Sequence, residues 1–129
     1  FDGLTVAVLG LTFKPDTDDL REAPSLVNVP ILLDEGATIH AWDAVGVENF
    51  QKVMEKADCN TNNIVYYATP EEALNDADLC FIFTEWADVK ALDLQVFQTM
   101  KKAIILDGRN CFETEKMKEL GVIYESIGR

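Results

Sequence analysis

Leu4-Thr5-Val6-Ala7-Val8-Leu9-Gly10, followed by Leu11-Thr12-Phe13-Lys14-Pro15-Asp16-Thr17-Asp18-Asp19-Leu20-Arg21-Glu22-Ala23-Pro24-Ser25, is the stretch on which the fold turns. Its first part is a short apolar run, rich in β-branched residues and closed by glycine, as expected of a strand buried on both faces. Runs of the same kind recur at 39–42, 64–68, 79–83 and 103–106, and Val122-Ile123-Tyr124 supplies a sixth, expected at an edge where polar neighbours are tolerated. Helical patterns fill the gaps. Ser25 and the apolar residues after it, ending at Gly36, predict a helix returning the chain from the first strand to the second. Pro30 lies inside that pattern and predicts a kink, or a helix that begins near Val29. Further helices are predicted over 47–56, from the capping box Thr69-Pro70-Glu71-Glu72, over 94–100, and over 114–120 with Gly121 as the stop. Strand and helix alternate throughout. The expected fold is therefore α/β: a doubly wound, three-layer, Rossmann-like parallel sheet of about six strands, forming one domain over residues 1–129.

In such a sheet the ligand crevice lies beyond the carboxyl ends of the strands, where the strand order reverses. The first connection, 10–25, is far longer than a βα turn needs, and its length points to function. Thr84-Glu85-Trp86 follows the fourth strand, and Asp107-Gly108-Arg109-Asn110 follows the fifth. The glycine there lets backbone approach closely, and the arginine can fork onto a phosphate. Lys14, Arg21 and Arg109 thus all fall at expected carboxyl ends and could converge on one crevice. For Arg21 the simpler reading is neutralisation by Asp16, Asp18 or Asp19; for Arg109 the binding reading leads.

Asp43 ends the second strand, where a dinucleotide-binding fold places its ribose acid, yet the glycine fingerprint GxGxxG is absent after strand one. Asp43 is accordingly read as a turn or capping residue. Phe13 and Trp86 are read as core aromatics beside the crevice, and His40 as a satisfied sheet residue. Cys59, Cys80 and Cys111 are odd in number and lack a CxxC pair. They are read as structural thiols in a reducing cytoplasm, with no zinc site or disulfide framework.

Eleven basic against 23 acidic residues give a net charge of -12, which disfavours nucleic acid and anionic membrane as partners. An acidic body of this kind can hold an anionic small molecule only through a few placed cations and backbone N–H groups. Hydrophobic residues make up 48% of the chain, enough for a globular core, and no apolar run approaches the roughly 20 residues of a membrane span. Without an initiator Met the chain reads as part of a longer protein.

The segment 10–25, together with Gly36-Ala37, Asp43, Thr84-Glu85-Trp86, Asp107-Gly108-Arg109-Asn110 and Ser126-Ile127-Gly128-Arg129, resembles the UDP-glucose and GDP-mannose dehydrogenase family. Within it the bacterial UDP-glucose 6-dehydrogenases look most similar. The resemblance covers nearly the whole chain and implies the C-terminal, UDP-binding domain of an NAD-dependent enzyme. In that family an N-terminal Rossmann domain binds NAD, and a central helical region carries a catalytic Cys and Lys. The sugar C6 alcohol is oxidised to a carboxylate in two steps through a thiohemiacetal and a thioester. None of the three cysteines here matches that nucleophile, so the chain alone is expected to be inactive. By the same resemblance, Phe13, Lys14 and Arg109 match substrate-binding residues and Arg21 matches a residue that reaches NAD across the domain interface. A homo-oligomer is implied for the full-length enzyme. Pro30 departs from the commoner helical pattern.

Three alternatives remain at this level. A phospho-acceptor receiver domain has the same size and alternation, but the third strand ends Tyr67-Ala68-Thr69 without an acceptor Asp. A free-standing nucleotide-binding regulatory module would bind NAD despite the missing glycines. The same family with GDP-mannose or a UDP-N-acetylhexosamine as substrate differs mainly in parts outside this sequence.

Overall fold

The computed structural model describes residues 2–12, 14–17, 19–21, 23–58 and 60–126. Six strands run in chain order as β1 (Thr5–Leu9), β2 (Thr38–Trp42), β3 (Ile64–Tyr66), β4 (Leu79–Ile82), β5 (Ile104–Asp107) and β6 (Ile123–Ser126). They form one sheet of order β3-β2-β1-β4-β5-β6, with every pairing parallel. This is the doubly wound order, and it differs from the 2-1-3-4-5 order of receiver-type sheets, which removes that alternative. The edge position expected for β6 is borne out.

Helices α1 (Ser25–Asp34) and α2 (Val47–Lys56) cover one face of the sheet, where Val29, Leu32, Phe50 and Met54 pack on Val6, Val8, Ile39 and Ala41. The other face carries α3 (Pro70–Leu74), α4 (Ala87–Lys90), a 3₁₀ helix (Leu94–Thr99) and α5 (Thr114–Glu119). Leu74, Val89, Phe97 and Met117 pack there on Ala7, Leu9, Ile82 and Ile105. Alternate residues of β1 therefore feed two separate cores, which is why its sequence is continuously apolar.

Several local readings need correction. Helix α1 begins at Ser25, not near Val29, and runs through Pro30. The ring at Pro30 removes one i→i−4 bond, but the helix is tied at its end by Glu35 N–H to Ile31 O and Gly36 N–H to Leu33 O, with Gly36 at φ 89° as the C′ residue. Ser25 does not cap it: Pro24 occupies that position and the Ser25 hydroxyl bonds elsewhere. The segment 94–99 is a 3₁₀ helix capped by Asp93, and α4, absent from the sequence reading, precedes it. Thr69 caps α3 as expected, with Glu72 N–H donating to Thr69 Oγ1 at 3.2 Å, while the Glu72 carboxylate accepts from the Thr69 hydroxyl at 3.0 Å rather than from its backbone N–H as a full capping box would.

Candidate functional site

The order of the sheet reverses between β1 and β4, and there the chain is drawn tight. Gly10 takes φ 98°, and a Cβ on it would stand 2.4 Å from Thr84 Cβ, so no other residue fits. Thr84, fully buried just after β4, donates its hydroxyl hydrogen to the Thr12 carbonyl across this junction. The Ser25 hydroxyl donates to the Leu11 carbonyl at 2.6 Å from the start of α1. Both carbonyls of the Leu11-Thr12 step are thus held by side chains of other elements.

Their N–H groups are held by Asp43. Its carboxylate, 5% exposed, accepts Leu11 N–H at 2.7 Å, Thr12 N–H at 3.2 Å and the Trp86 indole N–H at 3.0 Å on Oδ2. On Oδ1 it accepts Val45 N–H at 3.0 Å and Gly46 N–H at 2.7 Å. Asp43 is a turn residue, as the sequence reading has it, and also much more. Its charge lies among five N–H dipoles, which is how a buried carboxylate is tolerated. With its lone pairs engaged inward, it does not fit the ribose hydroxyls of a dinucleotide, and among the described residues no glycine fingerprint supports NAD in the usual way.

A second buried carboxylate organises the other side of the crevice. Asp107, 2% exposed at the end of β5, accepts Arg109 N–H at 2.8 Å on Oδ1, and Cys111 N–H at 2.7 Å and the Tyr124 hydroxyl at 2.6 Å on Oδ2. The turn after β5 is fixed by these bonds, with Asn110 at φ 56°. Arg109 donates its Nε–H to Phe83 O at 2.9 Å and stands 3.4 Å from Glu85, so its side chain is anchored along the β4 end with a quarter of its surface still open.

Lys14 is exposed, its carbonyl accepting from Thr12 Oγ1 at 2.9 Å. Pro15 and Asp16 share an open hollow of about 570 Å³ with Glu85 and Lys90, which brings the first loop beside Arg109's ion-pair partner. Arg21 lies elsewhere: it lines a groove of about 530 Å³ with Asp19, Asn49, Lys52 and Lys56, on the side of α1 and α2. Among the described hollows, this groove takes Arg21 without Lys14 or Arg109. Asp19 pairs with Arg21 at 2.8 Å, the neutralisation the sequence suggested; that hydrogen-bonded guanidinium holds the Asp19 carboxyl down to about 2 and raises the pKa of Arg21 in turn. Phe13 lies outside the described residues, as does Cys59.

Trp86 and His40 sit as the sequence reading has them. Trp86 is buried, and His40 is satisfied by Ala73 O at 3.2 Å and the edge of Tyr67. Burial pushes the Cys80 thiol up, and burial with the nearby carboxylates of Asp107 and Glu85 pushes Cys111 up to about 12, so neither is poised as a nucleophile. Among the described residues no group of His, Cys, Asp and Glu could hold a metal, and no helix is long and apolar enough to cross a membrane. The sequence reading missed the anchoring by Asp107, Thr84 and Ser25. For Asp107 and Thr84 the available signal was a polar residue set directly against the end of a buried apolar strand.

These features define a doubly wound nucleotide-binding domain whose carboxyl edge is built without the dinucleotide fingerprint. The chain belongs to the UDP-glucose/GDP-mannose dehydrogenase family, its residues 7–114 matching that family's UDP binding domain. It is 39% identical over 128 residues to the UDP-glucose 6-dehydrogenase TuaD of Bacillus subtilis (strain 168), covering 98% of this chain and 26% of that protein. Among solved structures it is similar to a UDP-glucose dehydrogenase from Pyrobaculum islandicum (TM-score 0.73, 30% identity, 96% of this chain and 25% of that one). It is also similar to an NDP-N-acetyl-D-galactosaminuronic acid dehydrogenase from Methanosarcina mazei Go1 (TM-score 0.78, 28% identity, 99% and 25%). The chain spans about a quarter of the length of the relatives it matches.

Proposed function

We propose that this chain holds the UDP part of UDP-glucose in an NAD-dependent UDP-glucose 6-dehydrogenase that oxidises UDP-glucose to UDP-glucuronate. Lys14 and Arg109, with Phe13, are the substrate-contacting residues of this reading, and Arg21 reaches NAD held mainly by an N-terminal domain outside this sequence. The catalytic Cys and Lys belong to a central region, so this chain by itself turns over no substrate. The whole enzyme acts in the cytoplasm as a homo-oligomer, without nucleic acid or membrane as partner.

The observation that carries the reading is the Asp107-anchored turn. It sets Arg109 at the carboxyl edge beside the switch point, in a body of net charge -12 where few cations are available for a diphosphate. The Arg109 side chain is tethered through its Nε, and a guanidinium held in a fixed plane has the geometry that suits phosphate oxygens. The likeness to the Methanosarcina mazei enzyme supports a second reading, in which the same nucleotide pocket serves an N-acetylhexosamine-linked substrate. The test is calorimetric titration of the chain with UDP, GDP and NAD. UDP is expected to bind, and Arg109→Ala to weaken it by about 1.5–3 kcal/mol. Binding of NAD in place of UDP, or indifference to Arg109→Ala, overturns the reading.

A further inference from the structure

We propose that Asp43 is the positioning residue of the nucleotide site: its buried carboxylate latches the loop after β1 to the end of β4, and so sets where Lys14 meets the nucleotide. The inference rests on the UDP-binding reading above and names a residue to which that reading gives no role.

Three elements meet at this one carboxylate. From the loop after β1 come the Leu11 and Thr12 N–H groups, from the turn after β2 the Val45 and Gly46 N–H groups, and from the segment after β4 the Trp86 indole. Charge-assisted bonds of 2.7 Å to Leu11 and Gly46 are the short, strong kind. The packing leaves no slack: a Cβ on Gly46 would stand 2.6 Å from Thr12 Cγ2 and 3.0 Å from Asp43 Oδ1. With Thr84 and Ser25 on the carbonyls, the backbone N–H and C=O of both Leu11 and Thr12 are held, two residues before Lys14. The Thr12 hydroxyl, donating to Lys14 O, carries the constraint one step further. A long loop would otherwise lose much conformational freedom on binding, and clamping its root removes part of that cost in advance. An acid at the ribose position of a dinucleotide fold thus serves here to hold backbone.

The test uses Asp43→Asn, whose amide can accept from one set of donors only and turns N–H hydrogens toward the other. Asp78→Ala is the control. Asp78 is also a buried carboxylate, accepting Thr5 N–H at 2.9 Å, but at the opposite end of the sheet. UDP affinity is measured by calorimetry, and exchange protection of the Leu11 and Thr12 amides by NMR, where circular dichroism shows each variant folded. Asp43→Asn is expected to lose protection at Leu11 and Thr12 and to bind UDP about tenfold or more weakly. Asp78→Ala is expected to lose stability while keeping its UDP affinity within twofold. Equal weakening by both variants, or an Asp43→Asn chain that binds as tightly as the parent, overturns the proposal while leaving the UDP reading intact. A parent chain that fails to bind UDP defeats the UDP reading itself, and the positioning role falls with it. Should Asp43→Asn not fold, Thr84→Val decides: it removes the clamp on Thr12 O at constant shape, and unchanged affinity overturns the inference.

Discussion

At the scale of single residues, this molecule uses buried acids to hold backbone. Asp107 is the second case after Asp43, and its bond from the Tyr124 hydroxyl at 2.6 Å ties the turn bearing Arg109 to the edge strand β6. Tyr124→Phe is expected to cost about 1.5 kcal/mol in urea unfolding, the value of a hydrogen bond to a charged acceptor, and no change in midpoint would contradict this. Cys111 gives a chemical prediction. With its pKa pushed up to about 12 against the usual 9.0, it carries far less thiolate at pH 8 than a free thiol, so its alkylation should be markedly slower than that of a free cysteine. Alkylation at the rate of a free cysteine would show that Asp107 and burial do not act on it. Asp19 is the exposed counterpart. Its carboxyl should titrate near 2 in the carbon-detected NMR of the parent chain and return toward 3.8 in Arg21→Ala. Since the folded value is depressed, the pair favours the folded state above about pH 4, and the contribution fades as pH falls toward 2.

At the scale of elements, the sequence was readable wherever a local pattern sufficed. Helix α2 over Val47–Lys56, the Thr69 cap of α3 and the glycine stops at Gly36 and Gly121 all follow from side-chain chemistry within a few residues. Thr69→Ala should therefore cost about 1 kcal/mol by removing the cap on Glu72 N–H, measured by chemical denaturation. Reading failed where a long-range bond overrode the local pattern. Ser25 looks like a cap, yet its hydroxyl is claimed by Leu11 O, and Pro30 looks like a helix start, yet the packing of Val29 and Leu32 on the sheet holds the helix through it. Gly10 was legible as the end of β1 but not as a contact point, because the threonine it meets lies far along the chain. Gly10→Ala combines a disfavoured φ of 98° with overlap on Thr84, and should destabilise by on the order of 3 kcal/mol or more. A near-neutral effect in urea unfolding would mean that β1 and β4 can separate at the switch point.

At the scale of the whole molecule, continuous apolar strands alternating with helices already imply two cores and a parallel sheet, and the observed order β3-β2-β1-β4-β5-β6 puts the switch point between β1 and β4. What the alternation cannot convey is the grouping of charged residues around it. Arg21 lines a groove with Lys52 and Lys56, apart from the hollow that Pro15 and Asp16 share with Glu85, because the loop after β1 passes over the α1 and α2 side before it reaches α1. UDP is expected to contact the β1–β4–β5 edge. The direct measurement is a UDP titration of the isotopically labelled chain followed by amide NMR. The predicted result is a set of shifts confined to residues 10–16, 84–86 and 107–111, absent when NAD replaces UDP. Shifts centred instead on the groove of Arg21, Lys52 and Lys56, or spread without focus over the sheet, would contradict it.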